Sequence, residues 1–137
     1  MIKELVHDTI FLAQKSHDAT SEDLGVAADL LDTLKAHKDT CVGMAANMIG
    51  VKKRIICFAA GDLYMTMFNP EIIKFSDRYE TEESCLSLLG GPRKTIRYKK
   101  IRVQYQTEDF KTRTKVFEGW IAQIIQHEID HCNGILI

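Results

Sequence analysis

No stretch of the 137 residues stays apolar for anything near the roughly 20 residues that a membrane-spanning helix needs. Neither sign of charge is in excess. Lys and Arg number 18 against 19 Asp and Glu, so the net charge of −1 gives no global basic field of the kind that nucleic-acid binding relies on. The first 20 residues carry Glu4, Asp8 and Asp18 and lack the layout of a signal peptide. The four cysteines, Cys41, Cys57, Cys85 and Cys132, show no C-x-x-C pairing and are too sparse for a disulfide framework. No internal repeat, low-complexity tract or linker divides the chain. These absences predict one soluble domain over residues 1–137, kept in the reducing cytoplasm, with no membrane partner and no specific nucleic acid. A composition that is 45% hydrophobic suffices for one core.

What stands out near the end of the chain is His127-Glu128-Ile129-Asp130-His131, an H-E-x-x-H pattern. On a helix, His127 and His131 lie four apart and share a face. Two imidazoles so placed can hold one divalent metal, and Glu128 beside them can exchange protons with water at that metal. The preceding residues, Glu118 to Gln126, support a helix, with Trp120, Ile121, Ile124 and Ile125 recurring at spacings of three and four. A catalytic site also needs a third protein ligand and an open position. The most suggestive donor is Cys85, in Glu83-Ser84-Cys85-Leu86-Ser87. One thiolate and two imidazoles suit iron, zinc, cobalt or nickel, and suit magnesium or calcium poorly.

The rest of the chain reads as mixed structure. A short helical turn is expected around Ile10, Phe11 and Leu12. Residues 22–37 read as an amphipathic helix with Ser21 as its capping residue, and with Leu24, Ala27, Ala28, Leu31 and Leu34 on its apolar face. Arg54 to Ala60 reads as a buried strand, in which Cys57 serves as a small hydrophobe. Gly61-Asp62 turns the chain into an antiparallel partner, Tyr64 to Asn69, which Pro70 is expected to end before Glu71 to Phe75 resume it. Ile101, Val103 and Tyr105 alternate with Arg102, Gln104 and Gln106 as in a half-buried strand, and Thr112 to Phe117 follows as another. The expected fold class is therefore α+β. Antiparallel sheets pack around a late helix carrying H-E-x-x-H, with one earlier amphipathic helix. The basic runs Lys52-Lys53-Arg54 and Arg97-Tyr98-Lys99-Lys100 read as solvated faces, and His7, His17 and His37 as surface residues.

The E-x-C-L-S stretch followed by Gln126-His127-Glu128 and Asp130-His131 resembles the peptide deformylases. A third segment agrees, Cys41-Val42-Gly43-Met44-Ala45-Ala46-Asn47-Met48-Ile49-Gly50, which is similar to that family's glycine-rich first motif. The resemblance runs from about Val6 to Ile137. It implies a metal site of Cys85, His127 and His131 holding one divalent ion, ferrous by resemblance, with zinc, nickel or cobalt as substitutes. It also implies Glu128 as acid and base, and the Leu86 backbone N–H as a donor to the developing oxyanion. The family's second oxyanion donor is a glutamine amide, and Met48 stands in its place. A thioether donates no hydrogen bond, which predicts reduced turnover. Val42, Gly43, Trp120, Gln123 and Ile124 are expected to border the pocket for the first side chain of the substrate. Trp120 either narrows that pocket or caps the core.

Other departures are Cys41 and Ser84 in place of glycines, Leu89 in place of a frequent proline, Pro92 where an arginine is usual with Arg93 one residue later, and an end at Ile137 without the extension many members carry. Cys132 has no counterpart role. The expected function is removal of the formyl group from formyl-Met peptides or a related small amide. The expected partners are a nascent-chain N-terminus and transiently the ribosome. The alternative is a non-catalytic metal-binding relative that holds peptide N-termini or the ribosome.

Overall fold

Asp8 starts the first ordered element. Its carboxylate accepts the backbone N–H of Ile10 at 2.9 Å, capping α1 (Thr9–Leu12), where the helical turn is expected. The structure, a computed structural model, describes residues 1–88 and 90–137, so the expectation placed on Leu89 lies outside the described residues. The amphipathic helix forms as α2 (Leu24–Ala36) and buries Ala27, Leu30, Thr33 and Leu34. It starts two residues later than its pattern predicts because Ser21–Asp23 wind into a tighter 3-10 turn. Thr20, not Ser21, is the cap. Its hydroxyl accepts from the Glu22 N–H, and the Asp23 carboxylate answers by accepting the Thr20 N–H at 2.8 Å. Leu24, expected on the apolar face, is exposed.

Five strands follow: β1 (Gly43–Ala45), β2 (Ile55–Ala60), β3 (Leu63–Glu83), β4 (Arg93–Gln106) and β5 (Thr112–Glu118). They pair antiparallel in sequence order as one sheet, and β5 runs directly into α3 (Gly119–Cys132). The chain is thus α+β, with a C-terminal helix packed on β4, β1, β2 and β5. Strand β2 shows how the sequence divides the interior. Successive residues face opposite sides of a strand. Ile56 and Phe58 therefore join Ile125 and Ile129 of α3, while Ile55 and Cys57 join Leu30 and Leu34 of α2.

Pro70 does not end β3. The register against β4 slips between Phe68 and Glu71, and Asn69 adopts a positive φ of 52°. A proline cannot donate to a ladder and is tolerated where a bulge removes the need. The Asn69 side chain secures the bulge: its Oδ1 accepts the Ala19 N–H at 2.7 Å, and its Nδ2 donates to Ala19 O and Gln106 Oε1. Having passed the bulge, β3 runs on with β4 as a long antiparallel ladder, from Arg78↔Tyr98 to Glu83↔Arg93. That extension was not evident from the short alternating stretch 101–106. It carries Glu83, and two residues later Cys85, to the middle of α3, where Glu83 meets Gln123 and His127.

The core beneath this arrangement is mainly aliphatic and includes one aromatic pair. Phe58 is fully buried and meets Phe117 edge to face, with ring centroids 6.3 Å apart. Phe58→Ala should cost about 3–5 kcal/mol of folding stability, to be read from urea unfolding curves of the two proteins.

Candidate active site

Helix α3 forms because Ala122, Ile125 and Ile129 bury one stripe against the sheet. Polar side chains then fix where it lies. Gln126 behaves like a strand neighbour of Tyr98, donating from Nε2 to Tyr98 O at 2.8 Å and accepting the Tyr98 N–H at 2.9 Å. Further on, Asn47 Nδ2 donates to His131 O at 3.0 Å, and Arg54 Nη1 donates to Asn133 Oδ1 at 2.8 Å. Of the H-E-x-x-H pattern, His127, Glu128 and His131 are buried, His131 completely.

The thiol of Cys85 and the two imidazoles offer ligand atoms that lie within 4.8 Å of one another. His127 Nδ1 donates to Glu83 Oε1 at 2.7 Å, which leaves Nε2 turned toward His131 Nε2, 3.1 Å away. Two ring nitrogens facing each other at that distance need either a shared proton or a shared cation. The donor set, one sulfur and two nitrogens, is of the kind that soft and borderline divalent metals take. Beside it, Glu128 Oε1 is buried without a hydrogen-bond partner among the described residues. These residues fit a divalent cation.

Electrostatics follow from burial and neighbours. Burial alone would push Glu83 up, yet hydrogen bonds from His127, Arg97 and Gln123 hold its carboxyl down at about 2. Burial lifts Glu128 to about 7, against the pull of His127. Burial also drives His131 down to about 3, with the charges of His127 and Arg97 adding to the effect. For His127 burial opposes charging, but Cys85, Glu83 and Glu128 prevail and raise it to about 10.

A cleft of about 410 Å³ opens over this group, and the structure brings the expected residues to it together. Val42, Gly43, Met48, Cys85, Leu86, Trp120, Gln123, Ile124, His127 and Glu128 line it, while His131 lies behind them, out of its wall. Gly43 is glycine for a steric reason. A Cβ there would stand 2.8 Å from both Glu128 Oε2 and Ile124 Cγ2. Met48 is buried, and its sulfur accepts the Ala45 N–H at 3.5 Å. Cys41 donates its thiol to Gly43 O at 2.9 Å, and burial, with Glu128 and Cys85 nearby, pushes that thiol up to about 12.

Trp120 is 61% exposed, so it does not cap the core. It is the second residue of α3, where the helix overhangs the cleft, and the core begins with Ala122 and Ile124. Gln123 is not a loose polar group at the edge. Its Nε2 donates to Glu83 Oε2 at 2.8 Å, and its Oε1 accepts from Tyr79 OH at 3.3 Å.

The residue that sequence reasoning missed is Arg97. Taken as part of a solvated basic run, it is 3% exposed and holds Glu83 through Nε and Nη2 and Asp130 through Nη1, at 2.6–3.1 Å. Alternation gave no clear signal, because Tyr105, Val103 and Ile101 continued backward by twos meet Lys99, which is exposed, before Arg97. His7 and His17 are exposed, as expected.

A helix presenting two imidazoles and a buried carboxylate to a thiol, over an antiparallel sheet, defines a class of site: one built for a soft divalent cation with a proton-exchanging group beside it. The comparisons with known proteins make this specific. The family model for polypeptide deformylase matches residues 3–137. A peptide deformylase of Clostridium beijerinckii is 56% identical over 137 residues, spanning 100% of both chains. Among solved structures, the peptide deformylase of Thermotoga maritima superposes with a TM-score of 0.89 at 26% identity, covering 99% of this chain and 95% of that one. The class I type b enzyme of Acinetobacter baumannii, bound to Met-Ala-Ser, does so at 0.88 and 27%, covering 99% and 97%. The chain belongs to the peptide deformylase family.

The close approach at Gly43 is open to test. Gly43→Ala must displace the Glu128 carboxylate or the Ile124 side chain, and misplacement by about 1 Å can cost a factor of about 10² in rate. A drop of that order in turnover is expected, with the metal content of the purified variant unchanged.

Proposed function

We propose that this protein removes the formyl group from N-formylmethionyl peptides, using a divalent cation held by Cys85, His127 and His131. The carrying observation is that the three ligand atoms converge within 4.8 Å beside the buried carboxylate of Glu128, in a chain of the deformylase family. When bound, such a cation supplies Lewis acidity to water and to a carbonyl oxygen. Iron, zinc, nickel and cobalt all suit this donor set, and family resemblance favours ferrous iron.

The chain's own groups do the rest. Glu128 Oε1, without a partner among the described residues, takes a proton from the attacking water and returns it to the amine nitrogen as the carbon–nitrogen bond breaks, releasing formate and a free N-terminus. The backbone N–H of Leu86 donates to the carbonyl oxygen as charge builds on it. The cleft walls of Ile124, Val42 and Trp120 receive the methionine side chain and keep water from the reacting carbon. Trp120 narrows the entrance. In support, the Acinetobacter baumannii relative is described bound to Met-Ala-Ser, a peptide with methionine first. The substrate is a nascent-chain N-terminus in the cytoplasm, and transient contact with the ribosome belongs to this reading by family analogy alone.

Met48 makes turnover slow in this reading. It offers sulfur, an acceptor, where the family offers an amide donor, and the loss of one such donor costs a factor of about 10²–10³. The same observation supports a second reading, a relative that binds metal and peptide N-termini without turnover. Two measurements decide. Elemental analysis should find one divalent ion per chain in protein purified without oxygen, and markedly less in Cys85→Ala and His131→Ala. Full metal content in both variants sinks the ligand assignment. An anaerobic assay on formyl-Met-Ala-Ser with iron-, nickel- and zinc-loaded protein should show slow release of formate, raised by Met48→Gln by about one to three powers of ten. Fully loaded protein that stays inert in both forms leaves the non-catalytic reading.

A further inference from the structure

Glu83 carries more contacts than orienting one imidazole requires. Its Oε1 accepts from His127 and Arg97, and its Oε2 accepts from Arg97 Nε at 2.9 Å and from Gln123 Nε2 at 2.8 Å. Gln123 stands one helical turn before His127 on α3, so it reaches Glu83 along the same face. An amide can be turned either way, and with its carbonyl toward Glu83 two acceptors would face each other. Tyr79 selects the sense, since its hydroxyl donates to Gln123 Oε1 at 3.3 Å and leaves Nε2 for the carboxylate. Tyr79 reaches this place on the far half of β3, beyond the Pro70 bulge. Gln123 is at the same time a wall of the cleft.

We infer that Gln123, oriented by Tyr79, is a positioning residue: it locks the Glu83 carboxylate that holds His127, and so ties the wall of the substrate cleft to a metal-binding imidazole. The inference rests on the proposed function for its substrate but not for its geometry. Removing the amide leaves Arg97 Nε to hold Oε2 by itself, which loosens the seat of Oε1 against His127 Nδ1 without breaking the Arg97 contacts. Loosening the partners that orient a ligating imidazole typically costs about 10–100-fold in metal affinity or activity. Contact between the first side chain of a peptide and Gln123 then reaches His127 through Glu83, so the chain's preference among first residues is expressed in turnover as well as in binding.

The test compares wild type with Gln123→Leu, which keeps bulk without hydrogen bonds, and Tyr79→Phe, which removes only the hydroxyl. Metal retention is measured by competition with a chelator, the ligand field by the visible spectrum of cobalt-loaded protein, and kcat and KM separately on formyl-Met-Ala-Ser. Gln123→Leu is expected to weaken retention or lower kcat by about 10–100-fold and to alter the cobalt spectrum. Tyr79→Phe should move the same quantities in the same direction by less. Wild-type retention, spectrum and kcat in both variants, with only KM changed, would mean that Gln123 is a wall and nothing more. Should Gln123→Leu fail to fold, Tyr79→Phe decides alone, and wild-type values in it overturn the inference. A wild type that takes up no cation overturns both this inference and the proposed function. One that holds a cation but cleaves no formyl-peptide sinks only the latter, because retention and spectrum still report on Gln123.

Discussion

The carboxylate of Glu83 is the point on which the site depends. It is withdrawn from water at the meeting of β3, β4 and α3, and a charge so placed is costly unless it is paired and fully hydrogen-bonded. Arg97 supplies the charge from β4, while His127 and Gln123 supply hydrogen bonds from α3. Because these donors come from different elements, the carboxylate is satisfied only when strand, strand and helix are in register. The same ionic contact that draws the elements together also turns the His127 ring and leaves its Nε2 toward His131. Arg97 then passes the constraint to the end of the helix through Asp130.

Around this anchor the helix is fixed mainly by polar groups that imitate backbone. Gln126 pairs with Tyr98 as a strand residue would, and Asn47 takes the carbonyl of His131. Apolar burial sets the stripe of α3 that faces the sheet, but burial is non-directional and cannot set rotation or translation to a few tenths of an ångström. Directional bonds can. This division of labour lets the Glu128 carboxylate pass so close to Gly43 that no side chain fits between them.

Much of the site was legible because its chemistry demands particular residue types at particular spacings. Two histidines four apart on an apolar-striped helix, a thiol in a distinct upstream motif, and a glycine-rich segment all stand out in one dimension, and the structure brings them to one cleft. What was not legible depends on pairing across long separations. Glu83 and Arg97 lie on different strands, and whether a basic residue in a basic run faces inward follows from the exact extent of β4, which alternation over six residues underestimated. Tyr79 has no local mark at all, since its position follows from a bulge at Pro70 that reads in sequence as a strand end. Trp120 failed as a core residue for a related reason, because apolar character alone does not say whether the first turn of a helix is covered.

His131 has one more consequence. It is wholly enclosed, sits outside the wall of the cleft, and has its backbone carbonyl held by Asn47. In the proposed function, a cation reaching it from the cleft would pass Cys85, His127 and Glu128, where the peptide would also lie. On that reading the ion and the substrate would share one doorway. A seated peptide would then act as a stopper, and the rate at which the ion exchanges with solvent would fall as the cleft fills, quite apart from how tightly the ion is held.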